Sequence, residues 1–183
     1  MILGFTGHRP NRLGGYSSCA KKKLYRFAHR ILLRMDDDVT IVQGCALGFD
    51  QAIATAAIEQ GHKVISMVPF LGFNKNWPVE SVFELDGILN CSSEVRVCIT
   101  KDMMETIDNI PFALDYRNQM IVKESDTLFA LACGAKSGTQ NCVDFAIQQQ
   151  VPVVNLWRDW LSFCETGRFA TNRSKSRTID KIV

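Results

Sequence analysis

A loop at residues 134–139 has the clearest chemical potential in this sequence. It follows an apolar run at residues 127–132 and precedes a helical pattern at residues 140–149, and Gly134 and Gly138 allow the chain to turn tightly within it. A helix that begins at such a loop presents unpaired N–H groups and the positive end of its dipole, which favour an anion of phosphate size. The alternative is an ordinary strand-to-helix turn, because the loop lacks the Lys-Ser/Thr ending of a Walker P-loop.

A similar loop follows the predicted strand at residues 1–6. Gly7 permits a sharp turn there, and Pro10 prevents a simple helical continuation. His8 can donate or accept a proton near neutral pH, and Arg9 offers a planar fork of donors to a phosphate or a carboxylate. Each of these two side chains could equally be a structural or solvated loop residue.

A third loop of this kind follows the predicted strand at residues 39–42. Gly44 and Gly48 bracket it, and an alanine-rich helix is predicted at residues 51–60. Asp50 lies near the start of that helix, where a carboxylate can cap free N–H groups. Its functional alternative is to hold a ribose hydroxyl or to polarise a water molecule.

The rest of the chain predicts an α/β fold with a doubly wound, parallel, Rossmann-like sheet in a single domain. Because ligands of open parallel sheets lie outside the carboxyl ends of the strands, the loops at those ends are expected to converge on one crevice. The strand at residues 63–68 adds an aromatic loop, which could form a stacking wall for a base or close the edge of the core. Further strands are predicted at residues 95–99 and 151–156, and further helices at residues 20–35, 78–89 and 102–124, the last interrupted near Pro111.

Length and composition limit the class of protein. The 183 residues, 46% hydrophobic and 22% charged, suit one globular domain, predicted at residues 1–166, with a basic tail at residues 167–183. The net charge of +2 is too small to indicate nucleic acid by itself. Seven cysteines without a C-x-x-C pair predict reduced thiols, a cytoplasmic location and no metal site. No apolar run is long enough to cross a bilayer, so no membrane partner is expected.

The motifs at these strand ends are similar, in order and spacing, to those of the SLOG superfamily. That superfamily comprises Rossmann-like relatives of the DNA-processing protein DprA and of the LOG phosphoribohydrolases, and the nearest resemblance is to its YpsA/YspA-like branch. The resemblance extends to about residue 156. Its motifs are Gly7-His8-Arg9-Pro10, the run from Gly44 to Asp50 with Ala54, Pro69-Phe70 with Trp77, Arg117-Asn118 with Met120, and the loop from Gly134 to Thr139.

The resemblance implies a pocket for a nucleotide or a nucleotide-derived ligand, without a cofactor. By position it assigns the phosphate to the loop at residues 134–139 and to Arg117, the sugar side to the loop at residues 44–50, and the closing of the crevice to His8 and Arg9. The predicted ligand-binding residues are Thr6, Gly7, His8, Arg9, Gly44, Ala46, Gly48, Asp50, Pro69, Phe70, Arg117, Asn118, Gly134, Ser137, Gly138 and Thr139.

One position departs from the LOG pattern. The glutamate that serves glycosidic cleavage in those enzymes corresponds to Cys142, and Asp144 lies about 200° around the helix from it. A thiol cannot replace a carboxylate that stabilises positive charge on a sugar. We therefore predict a non-hydrolytic module that binds, senses or sequesters a nucleotide-derived small molecule, in a bacterial or phage conflict or signalling setting.

Two other functions stay open. The first is a nucleotide N-glycosidic hydrolase or transferase with Asp50 as the catalytic carboxylate. The second is DNA binding in the manner of DprA, which is not favoured because only the basic tail and the lysines at residues 21–23 support it. A homo-oligomer is also expected, from the resemblance and from apolar residues near the carboxyl terminus: Trp157, Trp160, Leu161 and Phe163.

Overall fold

A computed structural model describes residues 1–103 and 109–170 as one six-stranded sheet with helices on both faces. The strands are β1 (Ile2–Gly7), β2 (Thr40–Gln43), β3 (Lys63–Val68), β4 (Glu94–Val97), β5 (Thr127–Leu131) and β6 (Val153–Asn155). The main helices are α1 (Ser18–Leu32), α2 (Phe49–Glu59), α3 (Val79–Cys91), α4 (Ile110–Lys123), α5 (Gly138–Gln148) and α6 (Trp157–Thr166), and a 3-10 turn spans Pro10–Arg12.

All neighbouring strands run parallel, in the order β4-β3-β2-β1-β5-β6, which confirms the predicted doubly wound sheet. The first strand of the chain is therefore central. Phe5 of β1 is aligned with Gln43 on one side and with Phe129 on the other. Since each βα crossover is right-handed, chain order alone sends the helices that follow β1 and β5 to opposite faces.

The two faces of the sheet have separate apolar cores. Leu3, Phe5 and Ile41 pack with buried residues of α1, α2 and α6, among them Phe27. On the opposite face, Val42, Leu128 and Ala130 pack with residues of α4 and α5. The strands buried on both faces explain why continuous apolar runs, with no alternation, marked them in the sequence.

Helix α4 begins close to the predicted interruption. The helical pattern over residues 102–124 was expected to be interrupted near Pro111, and the backbone is extended at Asn109, with Pro111 in the first turn of α4, where a missing N–H costs no hydrogen bond. Asn109 caps this start, because its side-chain oxygen accepts the N–H of Phe112 at 3.0 Å. Part of the predicted helix, residues 104–108, lies outside the described residues.

The carboxyl-terminal aromatic residues pack mainly inside the chain's own core. Trp160 is 3% exposed and Phe163 is 6% exposed, whereas Leu161 is 46% exposed and faces away from the core. Phe169, beyond the predicted domain boundary, stacks on Phe27 with ring centroids 5.2 Å apart. Trp160 and Phe163 therefore do not offer the surface on which the homo-oligomer was predicted, and that assembly stays a prediction.

No helix in residues 1–103 or 109–170 combines the length and the apolar character needed to cross a membrane.

Candidate functional site at the strand ends

The candidate site lies where the carboxyl ends of β1 and β5 meet. The helices that follow these two adjacent strands pack on opposite faces of the sheet, which opens a crevice between the loops. His8 after β1 reaches the loop after β5: the N–H of Cys133 donates to His8 Nε2 at 2.9 Å, and the N–H of His8 donates to the Leu131 carbonyl at 3.2 Å. The loop after β1 and the loop after β5 are thus in direct contact.

The loop at residues 134–139 has the geometry of a helix start that can receive an anion. Gly134 adopts φ 80°, a left-handed conformation that favours glycine. Ser137 is the N-cap of α5, and its Oγ accepts the N–H of Gln140 at 3.1 Å. This leaves the N–H groups of Gly138 and Thr139 without a partner inside the helix. Asn118 of α4 braces the loop, because its Nδ2 donates to the Gly138 carbonyl at 3.1 Å.

Asp50 does not cap α2, although it lies in the first turn of that helix. Its Oδ1 accepts the N–H of Gly7 at 3.2 Å, and its Oδ2 accepts the N–H of Ala46 at 3.4 Å. The carboxylate therefore ties the loop after β1 to the loop after β2. Burial raises the pKa of Asp50, and this rise is partly offset by Arg117 and by the N–H groups of Ala46 and Gly7.

Arg117 approaches this carboxylate from α4. Its Nη1 lies 3.6 Å from Asp50 Oδ2 and donates to the Gly44 carbonyl, and the side chain is almost fully buried. A Cβ atom at Gly44 would overlap the guanidinium, so glycine is required there. The structure thus gives Arg117 a supporting position beneath the crevice, and its direct contact with a ligand phosphate stays a prediction.

The remaining predicted residues fall into two groups. Thr6 and Gly7 are buried at the end of β1. Arg9 is exposed beside the loop after β2, where Gly48 is the N-cap of α2. Pro69 is buried at the end of β3, distant in strand order from β5, and Phe70 is half-buried. The aromatic loop that contains them closes the edge of the core, since Phe73 and Trp77 pack against Cys45, Val68 and Leu85.

Two residues that the structure brings to the crevice, Cys133 and Arg12, had no predicted role. Cys133 Sγ lies 3.1 Å from His8 Nε2 and accepts from Arg12 Nη1 at 3.2 Å. The N–H of Ala135 and the Arg12 guanidinium lower the pKa of Cys133, while burial and Arg12 lower the pKa of His8. The sequence hint for Cys133 was its position directly between a buried strand and a glycine loop.

Cys142, at the position of the LOG glutamate, is buried on α5. Its Sγ lies 3.7 Å from the Asn118 carbonyl, and burial raises the pKa of the thiol to about 12. Asp144 is exposed and accepts from Gln140 Nε2 at 2.9 Å, so it faces away from the crevice as predicted. Neither residue places a carboxylate at the crevice.

A separate cavity of about 270 Å³ lies between α1, α2 and α3. It borders the loop after β2 at Leu47 and Gly48, but none of residues 133–139 lines it. Gln51 lines it and has a buried Nε2 without a hydrogen-bond partner. Within residues 1–103 and 109–170, no group of three His, Cys, Asp or Glu side chains is arranged to hold a metal ion.

Comparison with known proteins gives a family match over most of the chain. The sequence model of the family described as DNA recombination-mediator protein A matches residues 17–180. The uncharacterized SPbeta prophage-derived protein YoqJ of Bacillus subtilis (strain 168) is 26% identical over 125 residues, which are 63% of this chain and 73% of YoqJ.

Three solved structures share the fold. DNA processing protein A (DprA) from Streptococcus pneumoniae aligns with a TM-score of 0.60 and 20% identity, over 88% of this chain and 53% of that one. DNA processing protein A from Helicobacter pylori, solved for its single-stranded DNA binding mode, aligns with a TM-score of 0.57 and 21% identity, over 84% and 63%. The molybdenum cofactor binding protein of Rippkaea orientalis aligns with a TM-score of 0.52 and 17% identity, over 92% and 86%. The chain thus spans less than two thirds of either DNA processing protein A.

Proposed function

Because the chain belongs to the family described as DNA recombination-mediator protein A, we propose that its crevice between β1 and β5 binds the phosphate group of a nucleotide-derived small molecule without cleaving it. This keeps the ligand class expected of the SLOG superfamily, and assignment to the YpsA/YspA-like branch is part of the same proposal.

The start of α5 is the observation that carries the proposal. Two N–H groups without an intrahelical partner, those of Gly138 and Thr139, adjoin a left-handed turn at Gly134. A fixed pair of donors at the positive end of a helix dipole suits a phosphate, which brings several acceptor oxygens and negative charge. Asn118 holds the loop from behind, so little ordering of the loop is needed when the anion arrives.

Exposed cationic side chains lie in this loop and in the segment after β1. Lys136 lies within it, Arg12 reaches it through Cys133, and Arg9 is exposed on the neighbouring loop. Charge-assisted hydrogen bonds to such side chains contribute roughly 1.5–3 kcal/mol each. They complement the neutral backbone donors, which orient the phosphate.

Binding without turnover is supported by what surrounds Asp50. Both of its oxygens already accept backbone N–H groups, and Arg117 lies against Oδ2. The side chain is 3% exposed, so a sugar carbon cannot come within reach without displacing these partners. Cys142 cannot supply the missing carboxylate. The carboxylate that LOG-type glycosidic cleavage needs is therefore not free at Asp50 and not present at position 142.

Single-stranded DNA is the second candidate ligand. It is favoured by the family and by the single-stranded DNA binding of DNA processing protein A from Helicobacter pylori. A phosphodiester group would use the same loop donors and the same cationic side chains. The two candidates differ in how their affinity responds to salt. A DNA strand that contacts several basic groups loses affinity steeply as the salt concentration rises.

Titration calorimetry with inorganic phosphate, nucleoside monophosphates, cyclic dinucleotides and a short oligothymidylate tests both candidates. We expect a free nucleotide to bind, with affinity lowered at least roughly fivefold by Ser137→Ala through a cap loss of about 1 kcal/mol. Ser17→Ala is the matched control, since it removes the N-cap of α1, whose hydroxyl contacts Ala20 and not the loop at residues 134–139. It should reduce stability similarly and leave binding unchanged.

Three outcomes decide between the candidates. Oligothymidylate binding that is much tighter than nucleotide binding and collapses with salt would replace the small-molecule ligand by DNA. No binding by any of these probes would contradict both. Chromatography that shows free base released from a bound nucleoside monophosphate over many turnovers, and lost in Asp50→Asn, would establish the hydrolase.

A further inference from the structure

Cys133 is the residue on which three separate segments converge. It follows β5, while His8 follows β1 and Arg12 ends the 3-10 turn. Sγ lies 3.1 Å from His8 Nε2 and 3.2 Å from Arg12 Nη1. We refer to these three side chains as the thiol cluster. The cluster lies at the crevice, and the backbone donors that carry the binding proposal follow it in the chain.

His8 fixes the position of the thiol. The N–H of Cys133 donates to His8 Nε2 at 2.9 Å, so the single lone pair of that nitrogen is already used, and Sγ lies 3.1 Å from the same nitrogen. The ring of His8 packs against Trp157, with ring centroids 5.6 Å apart, and this contact fixes its orientation. Arg12 Nη1, which donates to Sγ at 3.2 Å, is the charged partner of the sulfur.

The surroundings of Cys133 also stabilise the sulfur as an anion. The Ala135 N–H and the Arg12 guanidinium lower its pKa, whereas burial raises the pKa of Cys45, Cys98, Cys142 and Cys164. Cys133 is half-buried, so small reagents can reach it, while Cys45 and Cys142 are enclosed.

We propose that Cys133 is a nucleophilic thiol and a modification site for small soft electrophiles, including hydroperoxides, at the edge of the crevice. With an alkyl halide, Sγ forms a bond to carbon, the halide leaves, and the thiol proton passes to solvent. With a hydroperoxide, Sγ forms a bond to the distal oxygen and the O–O bond breaks. The leaving oxygen takes the proton, so the thiol is oxidised to a sulfenic acid and the peroxide is reduced to water or an alcohol.

Competitive alkylation of the full-length folded protein tests this proposal. A brief exposure to iodoacetamide at neutral pH is followed by unfolding, a second label and peptide mass spectrometry of all seven cysteines. We expect Cys133 to react roughly tenfold faster than the exposed Cys19 and Cys91. The same reagent on the urea-unfolded chain should remove the difference, because the cluster exists only in the fold.

Two variants test whether the reactivity of Cys133 comes from the thiol cluster or only from the exposure of its sulfur. Arg12→Met should slow alkylation of Cys133 at least severalfold, and Arg9→Met is the matched control, since both arginines are exposed. Exposure to hydrogen peroxide followed by dimedone should label Cys133, and Cys133→Ser should remove the label. The proposal is wrong if Cys133 reacts no faster than Cys19, or if Arg12→Met and Arg9→Met behave alike. These outcomes do not depend on whether the crevice binds a nucleotide.

Discussion

At the scale of single residues, the buried ion pair of Asp50 and Arg117 holds the strand-end loops together. Asp50 binds Gly7 and Ala46, and Arg117 binds Asp50 and Gly44, so two side chains join both loops to α4. The Nε of Arg117 has no hydrogen-bond partner, which shows that the pair is not fully compensated. Buried pairs of this kind contribute little net stability, but breaking one leaves an isolated charge that is costly.

Arg117→Met should reduce the free energy of unfolding by about 3 kcal/mol at neutral pH. Burial already raises the pKa of Asp50, and loss of the cation raises it further. A carboxyl group whose pKa is higher in the folded than in the unfolded state destabilises the fold least at pH values below the unfolded pKa. The free energy of unfolding then falls as the pH rises towards the folded pKa. Urea denaturation should therefore show a larger loss near pH 8 than near pH 5, relative to the unchanged protein.

Lys21→Met provides the surface control for this experiment. It breaks the exposed pair of Lys21 and Glu84, whose nitrogen and oxygen lie 2.9 Å apart. Such a pair is worth less than about 1 kcal/mol, and its loss should not grow with pH between these values. An equal loss for Arg117→Met at both pH values would show that the charge of Asp50 is not what the arginine compensates.

At the scale of elements, α2 and the loop before α5 depend on glycine for different reasons. Gly48 has φ 101°, and a Cβ atom there would lie 2.7 Å from the His8 carbonyl. Gly134 has φ 80°, but a Cβ atom would meet nothing within 4 Å. We expect Gly134→Ala to cost about 1–2 kcal/mol, from backbone strain alone. Gly48→Ala should cost clearly more in the same denaturation experiment, and equal losses would contradict the steric argument.

The sequence could predict elements that depend on local pattern. The strand expected at residues 63–68 matches β3, and the run at residues 127–132 contains β5, because a strand covered on both faces must be continuously apolar. The interruption near Pro111 could also be predicted, because Asn109 caps a new helix that has the proline in its first turn. The capping role suggested for Asp50 was wrong, because tertiary partners took its oxygens.

The contacts of the candidate site were beyond local reasoning. The loops themselves could be predicted, since strand order in a doubly wound sheet brings their ends together. Which side chains pair across them could not. Asp50 and Arg117 are 67 residues apart, and His8 and Cys133 are 125 apart. Sequence spacing contains no information about such pairs until β1 is known to lie beside β5.

At the scale of the whole molecule, packing continues beyond residue 166. Phe169 contacts Phe27 and Phe163, with ring centroids 5.2 and 5.9 Å away, and Arg34 lies 4.0 Å above its ring. We expect Phe169→Ala to lower the free energy of unfolding by about 1–2 kcal/mol, because it removes a partly buried aromatic ring. Arg168→Ala, at an exposed neighbour, should change it by less than about 0.5 kcal/mol.

Truncation after Gly167 should cost at least as much as Phe169→Ala. The folded unit would then extend past the boundary predicted at residues 166 and 167. Thermal unfolding that is identical for the full chain, Phe169→Ala and the truncated chain would instead place the boundary where the sequence suggested.

The central position of β1 has a consequence for synthesis on the ribosome. β1 is made first and gains β2 as a neighbour once Gln43 has emerged, but its other edge waits for Leu131, 88 residues later. At roughly 5–20 residues per second, the nascent chain carries an unpaired hydrophobic edge for about 4–18 s. Chaperone engagement during that interval would shield the same edge on which β5, and with it the crevice, is later assembled.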